Sequence, residues 1–501
     1  MMMISSELVT IRSVFTSGEL RVVEDPLQIK EYLLLEAPIS TLSIKSLFYM
    51  YTKLLAPSLL LGSSYLGHCI LASIGYNIAN STGDNLIQSS FGLAVFFNNI
   101  TVGNFTYGIV EKMSIATSSA FGMRDYKGVR LAFTQGLVIY ILMFAFLCFP
   151  TVFFSENILL SVGMRADNAA LASRYCWQFF FVDSLMSIAY FLMSFCSSQG
   201  IEGHFALIVN IILVISIVAM WSLDNIWNLE LYSYFIGRCI YDALCIIVLG
   251  YIYFKKTEPK AQGLSSLKDV FNQDFWTYLK DCLTFSSGMY VEFAGWEICN
   301  YFTGILKDKD QLAALTCLVN VAYYVFYIGY GFACVARTRI SNLLAKGYST
   351  AAKNFTTMFM VGTVGYSLIQ MVAIWIFHPF IVSFYTGQTT KETQQYFSQL
   401  LWYYSVFQIS DTIFYPIFTV CRTRGLAAYT LAICAILLIG AQSITASILV
   451  SIGTTCLGIL LNTYSMFFIG YIIILYMLYV HFPWEGQTEQ TEAIEMVKFE
   501  P

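Results

Sequence analysis

The chain has 501 residues, 57% hydrophobic and 12% charged, with a mean hydropathy of +0.65 and a formal net charge of −4. Soluble domains carry about a quarter charged residues, so a chain this apolar lacks the polar surface to cover itself and needs the bilayer as solvent. No basic run with interleaved aromatics points to nucleic acid. The 13 cysteines form no CxxC pair and there are four histidines, so no metal site and no cofactor are expected.

Residues 1–45 mix Glu7, Glu19, Glu24, Asp25 and Glu36 with a few apolar positions. That pattern lacks the unbroken apolar core of a signal peptide and is too acidic for a transit peptide. It reads as a cytoplasmic lead-in with a short amphipathic helix over 27–36. Beyond it, stretches able to cross about 30 Å of hydrocarbon, roughly 20 residues each, are predicted near 47–75, 86–115, 130–153, 171–196, 205–223, 229–254, 279–304, 311–336, 354–377, 397–420, 426–450 and 454–480. The second span is the most polar, with Asn98, Asn99, Asn104, Glu111 and Lys112, and is expected to face a cavity or other helices rather than lipid. The longest hydrophilic connection, 255–278, divides the spans into a first lobe over 46–254 and a second over 279–480. A polar, acidic tail over 481–501, expected to be disordered, closes the chain.

Basic residues sort by side. Counting the connections on one face gives 14: Arg124, Lys127, Arg130, Lys255, Lys256, Lys260, Lys268, Lys280, Arg337, Arg339, Lys346, Lys353, Arg422 and Arg424. The other face has five, Arg165, Arg174, Lys307, Lys309 and Lys391. Positive residues stay cytoplasmic, which places both termini there.

The halves repeat. SSAFGMRDYKGVR follows the second span and ISNLLAKGYSTAAKN the eighth; SSQGIEGHFAL follows the fourth and CRTRGLAAYTL the tenth. Gly122 and Gly347 are 225 residues apart, and so are Gly200 and Gly425. Six spans per repeat give both halves the same orientation. The fold expected is an all-α polytopic membrane protein of twelve transmembrane helices. Its two six-helix lobes are related by a pseudo-twofold axis along the membrane normal and enclose a cavity near the midplane.

Ionisable groups inside a span cost about 2.5–3.5 kcal/mol on insertion scales and are functional candidates by default. The seventh span carries Glu292 and Glu297, five residues and so about 140° apart in projection. The nearby Gly288 and Gly295 thin the helix to admit a ligand or a bend. The tenth carries Asp411 followed by Pro416, which is expected to kink it. A carboxylate held away from water there carries either a proton or a cationic guest, and competition between the two is exchange chemistry. Trp296, Tyr324 and Tyr415 are secondary candidates for holding a flat cation. Asp183 in the fourth span is ambiguous. The spacing of Arg238 and Asp242 favours an ion pair within one helix, and His68 reads as a buried polar spacer. Glu111 and Lys112 are expected to pair or to reach for the interface.

In this order and spacing, SSAFGMRDYKGVRLAFTQG, SSQG at 197–200, YVEFAGWEICNYFTGIL at 290–306, LAALTCLVNVAYYVFYIGYGFACVARTRISNLLAKG at 312–347 and DTIFYPIFTVCRTRG resemble the multidrug and toxic compound extrusion (MATE) family, eukaryotic branch. The likeness covers about residues 45–480. It departs from the family at Ser118-Ser119, at the residue before Arg424-Gly425, and in lacking an acid in the first span. The resemblance implies a V of two lobes, not an enzyme, that exports organic cations or drug-like xenobiotics against protons as a monomer, in the plasma membrane or an acidic organelle. It places Glu292, Glu297 and Asp411 where that family needs its acids. The alternatives are a lipid-linked substrate flippase of the same superfamily and a structural membrane protein that kept the fold.

Overall fold

The computed structural model describes residues 44–484 apart from 83, 84, 162, 273, 307, 387–389 and 483. The lead-in with its expected helix over 27–36, and the tail from Glu485, lie outside the described residues. Among the described residues twelve long helices follow one another: α1 Ile44–Ser81, α2 Asn85–Asn98 continued through a π-helical turn to Asn104–Gly122, α3 Tyr126–Phe153, α4 Ala166–Ser198, α5 Glu202–Asn225, α6 Leu231–Lys256, α7 Phe275–Ile305, α8 Lys309–Ala345, α9 Ser349–Thr386, α10 Lys391–Thr423, α11 Ala427–Ser451 and α12 Cys456–His481. They fall one to each predicted span. By length and composition ten of them can cross a bilayer, which makes the chain an integral, multi-pass membrane protein. The two that fall short of that apolarity are α7 and α10, the helices holding Glu292, Glu297 and Asp411.

Helix ends follow local chemistry. Asp125 accepts from the Gly128 amide at 2.9 Å to start α3, Asp308 accepts from the Asp310 and Gln311 amides to start α8, and Thr390 accepts from the Thr393 amide to start α10. Each satisfies amides that the first helical turn leaves open. Gly200 and Gly425 share a left-handed backbone, φ +73° and +79°, just past α4 and α10, the place where a helix most often needs glycine. The other repeated pair behaves differently. Gly347 is left-handed after α8, but after α2 the left-handed residue is Arg124, and Gly122 is instead pressed on Asn342 of α8, whose Cα would lie 3.1 Å from an added Cβ.

The lobes meet through α1 on α8, α2 on α7 and α2 on α8. The first two contacts exchange under the repeat, and both are backbone-close. A Cβ on Gly331 would fall 2.3 Å from the Gly62 Cα, and one on Gly108 would fall 2.4 Å from the Ser286 Cα. Small residues permit such crossings where lipid offers no hydrophobic drive for helices to associate. The most apolar stretch of α2 is 67% buried against 17% for α9. The polar α2 is thus enclosed, as its asparagines predicted, while α9 turns Ile369, Ile376 and Phe380 outward.

α10 carries Pro416 within it and runs on to Thr423. One expectation needs correction. Gly288 and Gly295 do not open onto a ligand: the first makes room for the Arg422 side chain, and the second packs on Gln442 and Leu438 of α11.

Candidate functional site

A cavity opens inside the second lobe, lined by Glu292, Phe293 and Trp296 of α7, Val319, Ala322, Tyr323 and Phe326 of α8, Asp411 and Phe414 of α10, and Phe467 of α12. It lies within one lobe rather than on the axis between the two, where sequence symmetry places it. The α8 residues recur at three- and four-residue intervals, one face of a helix. The α7 residues are one turn apart, so the wall is built by helical period. Six of the ten lining residues are aromatic and two are carboxylic acids, a lining that attracts flat cations through ring faces and fixed charge.

Glu292 is buried, and its Oε2 has no hydrogen-bond partner among the described residues. Asp411 is partly buried and accepts 2.8 Å from the Tyr464 hydroxyl through Oδ2. Tyr464 in turn meets the Trp296 ring edge-on at 5.8 Å and stacks on Phe407 at 5.0 Å. Neither acid forms an ion pair among the described residues.

The other candidates lie elsewhere. Glu297 is half-buried on another face of α7, beside Asn300, Tyr76 and Tyr323, in keeping with its angular offset from Glu292. Tyr324 donates 2.9 Å to Ser73 across the lobes, and its neighbour Tyr323 faces the cavity. Tyr415 donates to Glu111 at 3.3 Å and packs on Tyr330.

Asp183 belongs to a second buried cluster, in the first lobe. Its carboxylate is bonded by the Asn98 amide and by Arg238 at 3.2 Å. Arg238 also reaches Asp242 at 3.7 Å, and Asp242 meets His68 Nε2 at 2.9 Å. His68 Nδ1 lies 3.2 Å from the Tyr190 hydroxyl, which leads to Tyr107 at 3.4 Å and on to Tyr327 of the second lobe at 3.3 Å. Arg238 and Asp242 are therefore not a self-contained pair, and His68 is no bare spacer. The network spans α1, α2, α4 and α6 and reaches α8, which a spacing argument within one helix does not see.

Sequence reasoning also missed Arg422. Counted as a loop cation, it is buried within α10 and pairs with Glu111 of α2 at 2.5 Å. Lys112 pairs with Asp281 of α7 at 2.6 Å, so Glu111 and Lys112 each take a partner from the opposite lobe rather than each other. The clue in the sequence was the spacing of Tyr415, Thr419 and Arg422, one polar face of a helix. Among the described residues no group of three or more His, Cys, Asp or Glu stands together to hold a metal ion.

Two helical lobes, the second holding an acid-lined aromatic cavity, define a membrane carrier architecture rather than that of an enzyme. A family model, MatE, matches residues 85–221 and again 288–444, once in each lobe and over more than half of the chain; the protein belongs to the MatE family. Protein DETOXIFICATION 37 of Arabidopsis thaliana is 26% identical over 286 residues, 54% of this chain and 55% of that protein. Multidrug and toxin extrusion protein 1 of Homo sapiens is 21% identical over 290 residues, 56% of this chain and 49% of that protein. The chain thus matches about half the length of these curated relatives. The crystal structure of the eukaryotic MATE transporter AtDTX14 superposes with a TM-score of 0.78 at 18% identity, covering 89% of this chain and 98% of that one. At that identity the likeness shows a shared fold.

Proposed function

We propose that this protein is a secondary transporter that exchanges organic cations for protons, with Glu292 and Asp411 as the groups that hold one or the other. The observation that carries this reading is the pair of carboxylates on one aromatic cavity with no basic side chain bonded to either among the described residues. An ionised acid removed from water demands a counter-charge. With no basic side chain bonded to it here, a proton or a cationic guest can supply that charge, and the two exclude each other. Phe293, Trp296, Tyr323 and Phe326 offer ring faces to the guest's apolar parts. An acidic lining favours a cation over the phosphate of a lipid-linked substrate. The relatives' names, multidrug and toxin extrusion, agree in kind.

Orientation belongs to the same proposal. Of the basic residues assigned to the cytoplasmic face, Arg337, Arg422 and Arg424 are buried inside the protein. The rest still outnumber those opposite, which keeps both termini inside and makes 255–278 a cytoplasmic interlobe linker. Glu297 sits apart from the cavity, and we assign it no direct contact with the guest.

Uptake of tetraethylammonium into proteoliposomes under an imposed pH gradient tests the function. The wild type concentrates the cation, and Glu292→Gln lowers gradient-driven uptake by more than about tenfold, the equivalent of about 1.4 kcal/mol. Uptake indifferent to the pH gradient, or unchanged in Glu292→Gln, overturns the reading.

A further inference from the structure

Arg422 stands between two carboxylates that belong to different lobes. Its Nη1 donates 2.5 Å to Glu111 of α2, and from the same face of α10 Thr419 donates at 2.9 Å and Tyr415 at 3.3 Å. The rings of Phe285 and Phe418 flank the guanidinium at 5.7 and 5.4 Å. The other arm, Nη2, lies over Gly288, where an added Cβ would come within 2.5 Å of it. Gly288 is one helical turn before Glu292, on the same side of α7. Nη2 and Glu292 Oε2 are both buried, and neither has a hydrogen-bond partner among the described residues. An unmatched buried donor over the turn of α7 that precedes an unmatched buried acceptor gives each a reason to take the other as its partner.

The charged groups acting on Glu292 are Arg422, Glu111 and Asp411. Cys434 of α11 and Tyr471 of α12 face it as uncharged groups. From α8, Arg337 adds a second positive charge near Glu111 and donates 3.0 Å to Ser114 of α2.

We propose that Arg422 is a positioning residue that couples the charge state of the cavity to the contact between the lobes: one arm holds Glu111 of the first lobe, and the other takes Glu292 whenever that carboxylate is ionised and empty. This rests on Glu292 being the exchange site. In the empty, ionised carrier both arms are engaged and this end of the lobes is clamped. A proton on Glu292, or a cation beside it, removes the partner of Nη2, and the clamp is left with Glu111 alone. Both loaded forms then move and the empty form does not, which is the condition for exchange without slip. The planar fork of arginine suits two acceptors at once, and a lysine ammonium does not.

The test measures distances between spin labels carried by unnatural amino acids at Met123 and Thr350, exposed positions at this end of the two lobes, in the full chain in bilayers. Wild type at pH 8 is compared with pH 8 plus tetraethylammonium and with pH 5. The open population is expected to rise by about fivefold on adding the cation or on acidification. In Gly288→Ala, whose new methyl displaces Nη2, and in Arg422→Lys, that response is expected to disappear. Tetraethylammonium should bind Gly288→Ala at least as tightly as wild type, by up to about fivefold, because the clamp no longer competes for Glu292. A wild-type response in both variants overturns the proposal, as does loss of affinity in Gly288→Ala together with the response. If Glu292→Gln binds the cation as tightly as wild type, the exchange reading fails instead.

Discussion

The two lobes build a polar cluster at the same place from the same three helices of the repeat, and only one of them leaves its acids unmatched. In the first lobe α1, α4 and α6 bring His68, Asp183, Arg238 and Asp242 into one bonded network. In the second lobe α7, α10 and α12 bring Glu292, Asp411 and Tyr464 together around a cavity. Under the 225-residue offset, Arg238 corresponds to Thr463 and Asp242 to Phe467, a wall of the cavity, while Glu292 falls on Gly67, next to His68. Where the first lobe places a countercharge the second places an apolar ring or a hydroxyl, and space opens. A buried carboxylate with its own arginine is a structural commitment. One that lines a cavity with no basic side chain bonded to it is free to take a proton or a cation, the role proposed for Glu292.

That contrast sets the size of what substitutions do. Arg238→Met strands Asp183 and Asp242 as buried charges and should cost about 3–5 kcal/mol, read as a lowered melting temperature of the detergent-solubilised protein. Asp411→Asn keeps an acceptor for Tyr464 and should change stability by less than about 1 kcal/mol. Equal costs for the two would erase the distinction between the lobes. Gly331→Ala sets a methyl against the Gly62 backbone and is expected to cost roughly 1–3 kcal/mol. Gly295→Ala, which meets only side-chain atoms at 3.4 Å and beyond, is the control and should be nearly neutral in the same melt. His68→Gln retains a donor toward Asp242 and should lose about 0.5–1.5 kcal/mol with pH-driven uptake intact. Abolished uptake in His68→Gln would show that the first lobe takes part in coupling and would end the comparison as drawn.

Much of the scaffold was legible because hydropathy has a length requirement and glycine has a conformational one. The twelve spans follow from apolar runs, and the left-handed turns at Gly200 and Gly425 from the repeat. Glu292 and Asp411 stood out because an acid inside a span is expensive. What could not be read is who faces whom across the lobes. Glu111 and Arg422 are far apart in the chain, and no spacing rule reaches that distance. Arg422 looked like a loop residue because it lies at the end of an apolar run, yet α10 continues past it and buries it. Tyr324 and the cavity-lining Tyr323 differ by one position on a helix, about 100° of rotation, and Tyr323 shares its face with Val319, Ala322 and Phe326.

The central claim is that a proton and a cation compete for the same carboxylate in the second lobe. The direct measurement is proton release on adding tetraethylammonium to the purified protein in weakly buffered detergent, followed with a pH indicator across a range of starting pH. Wild type should release up to about one proton per cation bound, and Glu292→Gln markedly fewer, as linkage requires of a shared site. Cation binding with no proton released at any pH, or full release persisting in Glu292→Gln, would contradict it.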